Sequence, residues 1–327
     1  MKKIAMAATG AALIAVTVGS TANAEPTGTP TYRQLAGVGS DTTQDVMNGL
    51  SQAVTINGTK VLGSYNAVGA PTITTKDPAV NNKCAIARPN GSGAGRTALV
   101  NSLQAGDGCL DFARSSSLNL AAASPGLTYV PFGVDSVTYA ITPSSVLPRK
   151  LTLADLKAIY HCDPNYVGTG PNFSVNALLP QAGSGTRSYW MSQVGITEAD
   201  VTAGVYPCVK DKKGSTPIQE HDGRVLDDKS IVPFSTAQYI AQGATVADVR
   251  GRAILGTIDG KSATVLNSDF GIKREVYNVI PTSKIGTAPW STVFTGSGSL
   301  ICKQADVINN YGFATNPNCG DTSKQTP

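Results

Sequence analysis

Four short stretches of glycine and hydroxyl residues carry the chemistry this chain can offer: Gly37-Val38-Gly39-Ser40-Asp41-Thr42-Thr43, Asn90-Gly91-Ser92-Gly93-Ala94-Gly95-Arg96-Thr97, Phe112-Ala113-Arg114-Ser115-Ser116-Ser117 and Gly183-Ser184-Gly185-Thr186-Arg187-Ser188. At least three run directly into a helical pattern. The first N–H groups of a helix lack intrahelical partners and carry a partial positive charge, so small hydroxyl residues there can surround an oxyanion with donors. The candidate ligand-binding set is Ser40, Asp41, Thr42, Thr43, Ser92, Gly93, Arg114, Ser115, Ser116, Ser184, Gly185, Thr186 and Arg187.

Other chemistries find less support. A nucleotide-binding G-x-x-x-x-G-K-[ST] loop would need glycine at Asn90 and lysine at Arg96. His161 and His221, the two histidines, have no companions at metal-ligand spacing, so no metal or other cofactor is expected. A hydrolase built on Ser92 or Ser184 with His221 and an aspartate is the main alternative, but neither serine lies in G-x-S-x-G. A secreted adhesive or signalling protein with a weakened cleft is a third. His161 is expected to cap a helix end, Asp111 to be structural, and Asp135 to accept hydrogen bonds in a hinge or turn. Trp190 and Trp290 are expected in the core or cleft wall.

The formal charge is +4, and Lys2 and Lys3 of the leader contribute half of it, so no basic stripe for nucleic acid is expected. Those lysines, the apolar run Ile4 to Val18 and the small residues Ala22-Asn23-Ala24 read as an export signal over residues 1–24. No cysteine lies near the cleavage point to take a lipid, which implies a non-lipidated protein, secreted or at a bacterial cell exterior. The six cysteines, an even number in an exported chain, imply disulfides. Fifteen pairings are possible for six cysteines. The sequential set, Cys84–Cys109, Cys162–Cys208 and Cys302–Cys319, is favoured because each bridge closes a loop within one region.

The elements that would position the four loops alternate between strand and helix. Helices are expected over Thr43 to Ala53, Arg96 to Gln104, Leu151 to Tyr160 with Thr152 as cap and Asp155 in the capping-box place, Thr186 to Val194, Ser235 to Gln242 and Ser299 to Asn310. Strands are expected at Val61 to Tyr65, Cys109 to Phe112, Leu127 to Ile141 and Arg274 to Ile280. The third is long for one strand, as a crossing between two lobes would be, and the fourth could cross back. The polar tail after Cys319 is expected to fray. This is an α/β pattern, in which ligands commonly bind beyond the carboxyl ends of strands.

Taken in order, the glycine-rich first loop, Gly91-Ser92-Gly93-Ala94-Gly95, Asp111-Phe112-Ala113-Arg114-Ser115-Ser116, Val130-Pro131-Phe132-Gly133-Val134-Asp135-Ser136-Val137, the Leu151 to Tyr160 helix and Gly183-Ser184-Gly185-Thr186 resemble the phosphate-binding proteins of bacterial ABC importers, the PstS-like branch of the type II periplasmic binding proteins. The resemblance runs from about residue 35 to 315. It implies a two-lobed fold with two hinge crossings, residues 25–135 and 276–327 forming lobe 1 and 136–275 lobe 2. It also implies a monomer that holds phosphate or a similar oxyanion in the interlobe cleft and docks on importer membrane subunits. The donors it carries over are the first-loop backbone and side chain, Ser92, Ser184, Gly185 and Thr186. The sequence departs from the family at Ser116, where members place an aspartate that accepts the proton of hydrogen phosphate. It departs again at Pro180 and Ala182, where members place an arginine and an aspartate; against that pattern Arg114 or Arg187 would resupply the charge, and Asp41 a carboxylate acceptor.

Overall fold

The β-rich run Leu127–Ile141 forms a single 15-residue strand, buried along nearly its whole length. A strand covered on both faces has no exposed polar side, so Thr128, Asp135, Ser136 and Thr138 are as fully buried as its apolar residues. The structure, a computed structural model, describes residues 26, 28–169, 173–244 and 246–327; the expected leader at 1–24 lies outside them.

The elements that matter for the site are β1 (Leu35–Gly39), α1 (Gln44–Ala53), β2 (Leu62–Ser64), α2 (Ser92–Ala105), β3 (Phe112–Ser115), β4 (Leu127–Ile141), α3 (Leu153–Tyr160), β5 (Asn176–Leu178), α4 (Gly185–Val194), β6 (Val209–Lys210), β7 (Ser230–Ser235), α5 (Thr236–Ala244), β8 (Lys273–Pro281) and α6 (Ala305–Asn310). One curled sheet runs β6-β5-β7-β4-β8-β3-β1-β2, with Ile254–Leu255 and Ala314–Thr315 also pairing with β4. β1, β2 and β3 are mutually parallel, as are β5, β6 and β7; β4 and β8 join the two groups through antiparallel pairing.

The core changes partners along these two crossing strands. Phe132 of β4 and Val276 of β8 pack with Leu35, Met47, Phe112 and Phe294, whereas Val137 of β4 and Ile272, just before β8, pack with Tyr139, Tyr160 and Trp190. The fold is therefore α/β and two-lobed, with two crossings between the halves. α3 starts at a complete capping box, Thr152 accepting from the Asp155 N–H while the Asp155 carboxylate accepts from the Thr152 N–H. Cys84–Cys109, Cys162–Cys208 and Cys302–Cys319 are disulfides, each within one half of the chain.

Three expectations need correction. The strand expected at Cys109 to Phe112 lies instead at Phe112–Ser115, because the ladder with β1 starts at Phe112 opposite Gly37 while Cys109 is held in a turn by the Asp107 carboxylate. The last helix covers only Ala305–Asn310; its expected first part is a series of turns that brings Cys302 to Cys319. The tail after Cys319 does not fray. Its backbone pairs with the start of β4, Tyr129 N–H donating to Lys324 O and Thr326 N–H to Leu127 O, which satisfies groups that would otherwise form an open sheet edge.

Candidate functional site

β1 and β3 are adjacent parallel strands, and both end at the same edge of the sheet, so the loops after Gly39 and Ser115 emerge side by side. Gly39 has φ +122°, and a Cβ there would meet the Arg114 carbonyl at 2.7 Å, so only glycine lets the two loops approach. Arg114 fixes the first loop from beneath. Its fully buried guanidinium donates to the carbonyls of Gly37, Gly39, Ser40 and Tyr65 and to Ser64 Oγ. Burial first, set against the attraction of Asp41 and Asp45, brings its pKa down to about 10, so it stays charged. Arg114 is thus a brace for the loop that carries Ser40 to Thr43, with its hydrogen bonds directed away from the cleft.

Above this brace, side chains from six separate segments converge. Thr42 Oγ1 lies 3.1 Å from Ser116 Oγ, 3.2 Å from Thr186 Oγ1, 3.1 Å from Glu220 Oε1 and 3.3 Å from Arg274 Nη2. Ser116 Oγ in turn lies 3.2 Å from Ser40 Oγ and 3.4 Å from Ser92 Oγ, and its N–H donates to Ser92 Oγ. The Thr186 N–H, at the start of α4, donates to Glu220 Oε1 at 3.0 Å. Ser184 caps α4, its hydroxyl accepting from the Arg187 N–H. A Cβ at Gly185 would meet the hydroxyls of Ser116 and Ser92, so a side chain there would push both out of the cluster. Gly93 N–H donates to Gly183 O at 3.0 Å, so the second and fourth glycine loops touch directly.

Of the candidate residues, Ser40, Thr42, Ser92, Ser116, Gly185 and Thr186 meet in this cluster. Thr43 is buried with its hydroxyl unpartnered, and Ser115 turns away to donate to Ser117 O. Arg187 does not face the cluster: it is buried in a network with Glu198, Asp211 and the Pro180 carbonyl. A cation at a helix start opposes the helix dipole, and the two carboxylates offset that cost. Asp41 is paired with His221, whose Nδ1 lies 2.8 Å from Asp41 Oδ2. Burial first, then its neighbour Glu220, push the Asp41 carboxyl upward against the pull of His221 and Arg114.

Two residues of the cluster were not singled out in the sequence. Arg274, at the start of β8, reaches Thr186 Oγ1 at 2.8 Å while two of its nitrogens donate to Asp135 Oδ2 at 2.9 and 3.1 Å; its Nη1 has no partner. Asp135 lies opposite Arg274 in the β4–β8 ladder and also accepts from the Ser235 hydroxyl and the Ala237 N–H, the hinge-acceptor role expected of it. The arginine and carboxylate missing at Pro180 and Ala182 thus have counterparts on the two crossing strands. Asp135 is the one charged residue of β4, whereas Arg274 stands between Lys273 and Glu275 at the start of β8, and only the register shows that the two face each other. The second residue is Glu220, from a loop without a motif. Burial raises its carboxyl pKa, but His221, the hydrogen bonds from Thr186 and the Arg274 charge together hold it below the usual range. It is a carboxylate at neutral pH.

Thr186 Oγ1 also lies 3.4 Å from His221 Nε2, which lines up Asp41, His221 and a hydroxyl in sequence. Arg274 already holds that hydroxyl at the shorter distance of 2.8 Å, and all three side chains are buried. The arrangement is a clamp between the halves of the chain.

Residues 24–305 match the PBP superfamily domain, and the chain belongs to that family. Among solved structures, it is similar to a putative phosphate ABC transporter substrate-binding protein with bound phosphate from Clostridium perfringens, at 17% identity and a TM-score of 0.53, over 86% of this chain and 99% of that one. An ABC-type phosphate transport receptor from Vibrio cholerae aligns at 15% identity and a TM-score of 0.49, over 86% of this chain and 100% of that one. A search of curated proteins gives no match.

Proposed function

We propose that this is an exported solute-binding protein that captures phosphate or a related oxyanion between its halves. The observation that carries this reading is the convergence of Thr42, Ser116, Thr186 and Arg274, from four separate segments, at separations of 2.8 to 3.3 Å. Donors from both halves can touch one guest, and contact with both at once lowers the energy of the closed arrangement alone. We take lobe 1 as residues 25–135 and 276–327 and lobe 2 as 136–275, with hinges where β4 and β8 cross. The Clostridium perfringens protein was solved with bound phosphate, which makes phosphate the first ligand to try. Arg274 supplies the charge that Arg114 and Arg187, engaged elsewhere, do not bring to the centre.

In this reading the protein is monomeric and non-lipidated, acts outside the cytoplasm, turns nothing over, and hands its cargo to importer membrane subunits. Titration calorimetry with phosphate, sulfate, arsenate and a phosphate ester tests it: a saturable one-to-one heat with at least one of them is expected, and Ser92→Ala or Thr186→Ala weakens it. No saturable heat with any of the four removes the reading. The aligned Asp41, His221 and Thr186 favour hydrolysis as the second reading; release of product from a phosphate ester or carboxylate ester, lost in His221→Ala, would establish it.

A further inference from the structure

The sequence resemblance gives the Thr186 donors to the bound anion, yet in this protein the Thr186 N–H is directed at a side-chain carboxylate, Glu220 Oε1, at 3.0 Å. The Thr42 hydroxyl lies 3.1 Å from the same oxygen. A hydroxyl has a single proton, and the charged acceptor is the stronger claimant among its neighbours. Glu220 is 4% exposed, and its second oxygen, Oε2, has no hydrogen-bond partner. One oxygen is therefore held by two cradle donors while the other is buried and unsatisfied, an arrangement costly enough to need a reason.

The neighbours of Glu220 reach across in the same way. Gln219 Oε1 accepts from Asn90 Nδ2 at 2.7 Å and His221 pairs with Asp41 at 2.8 Å, so three consecutive residues strap onto three positions of the first half of the chain. Within the strap His221 has φ +58°, a left-handed backbone that a residue with a side chain adopts at a cost. The strap is held in place from one side by Gln242, whose Nε2 donates to His221 O.

We propose that Glu220 is a tethered internal anion, which competes with the guest oxyanion for the Thr42 O–H and the Thr186 N–H and must swing out of the cradle before the guest can occupy it. This rests on the oxyanion-binding reading above. Two negative groups cannot share the same two donors, and a carboxylate fixed on the chain presents itself at an effective concentration that a dissolved guest has to exceed. Glu220 thereby sets a threshold: only an anion that gains more from Thr42, Ser92, Ser116, Thr186 and Arg274 together than the single carboxylate does will displace it. The competition is indifferent to whether the guest carries a proton.

The test is titration calorimetry of the full mature chain and its Glu220→Ala and Glu220→Gln variants with inorganic phosphate and with sulfate, circular dichroism confirming the fold. Glu220→Gln preserves size and an acceptor oxygen, so it keeps the test valid should the alanine variant not fold. Glu220→Ala is expected to bind both anions about tenfold or more tightly than wild type, and Glu220→Gln to tighten both by a smaller factor. Wild-type binding that is unchanged or weakened in the variants overturns it and leaves the oxyanion reading standing. Phosphate binding that weakens while sulfate binding strengthens also overturns it, assigning Glu220 instead as acceptor of the guest's proton. No heat from wild type or variants with either anion overturns the reading and the proposal together.

Discussion

Among the described residues Arg274 is the one arginine or lysine placed at the convergence point, and replacing it by glutamine separates its two roles. Its guanidinium holds Asp135, which is fully buried, by two hydrogen bonds at 2.9 and 3.1 Å. Removing one partner of a buried ion pair typically costs about 3 to 5 kcal/mol, because the survivor is left charged and uncompensated. The Ser235 hydroxyl and the Ala237 N–H still serve the other Asp135 oxygen, so Arg274→Gln is expected to cost about 3 kcal/mol of stability, at the lower end. Adding Asp135→Asn removes the orphaned charge, and the double variant should recover to within about 1 kcal/mol of wild type. Anion affinity should not recover. A hydrogen bond to a charged group contributes about 1.5 to 3 kcal/mol, so the refolded double variant should bind phosphate about 10- to 150-fold more weakly. Urea unfolding measures the first effect and titration calorimetry the second. A double variant no more stable than Arg274→Gln, or one that binds phosphate as wild type does, would refute the reasoning.

Burial first, then the negative charge of Asp41, push the Asp45 carboxyl up to about 6, against a hydrogen bond from Gln238. The folded state thus holds a proton that the unfolded state releases near pH 4, so stability falls as pH rises between about 4 and 6, by about 3 kcal/mol in all. Asp45→Asn should flatten that slope in thermal melts and raise the melting temperature at neutral pH; an unchanged slope would place the titration elsewhere. Gly91 has φ +103°, and a Cβ there would meet the Gly183 carbonyl at 2.6 Å, so Gly91→Ala should lower phosphate affinity by about tenfold or more by holding the halves apart. Equal affinity would show that this contact is dispensable. Replacing Cys84 and Cys109 by serine opens a bridge between residues 25 apart in sequence and should cost about 3 kcal/mol in urea unfolding while leaving anion affinity intact.

The parts of the fold that were legible in the sequence are those set by local rules. Thr152 and Asp155 announced their helix through a capping box, and the length of the β-rich run at Leu127–Ile141 announced a crossing strand. The disulfide pairing followed from loop closure within one region of the chain. Ser299 to Lys303 misled because their composition tolerates a helix, while the Cys302–Cys319 bridge draws them into turns. The tail misled because its polarity says nothing of the unpaired edge of β4 that it covers.

At the site, hydroxyl residues in glycine loops were visible because capping and anion binding draw on the same residue types. The charged groups were not. Whether Arg114 and Arg187 face a guest depends on carbonyls and carboxylates brought near by tertiary structure, and both turned out to be engaged there. Arg274 and Asp135 required the β4–β8 register, and Glu220 required the path of a loop that no local pattern fixes.

The most direct test of the central claim is the position of the anion in a crystal of the protein grown with saturating phosphate. Tetrahedral density within hydrogen-bond distance of Thr42, Ser92, Ser116, Thr186 and Arg274, touching both halves, is the predicted result. Phosphate bound only elsewhere, for example against the exposed Lys212–Lys213 ribbon, with those five side chains still bonded to one another, would contradict it.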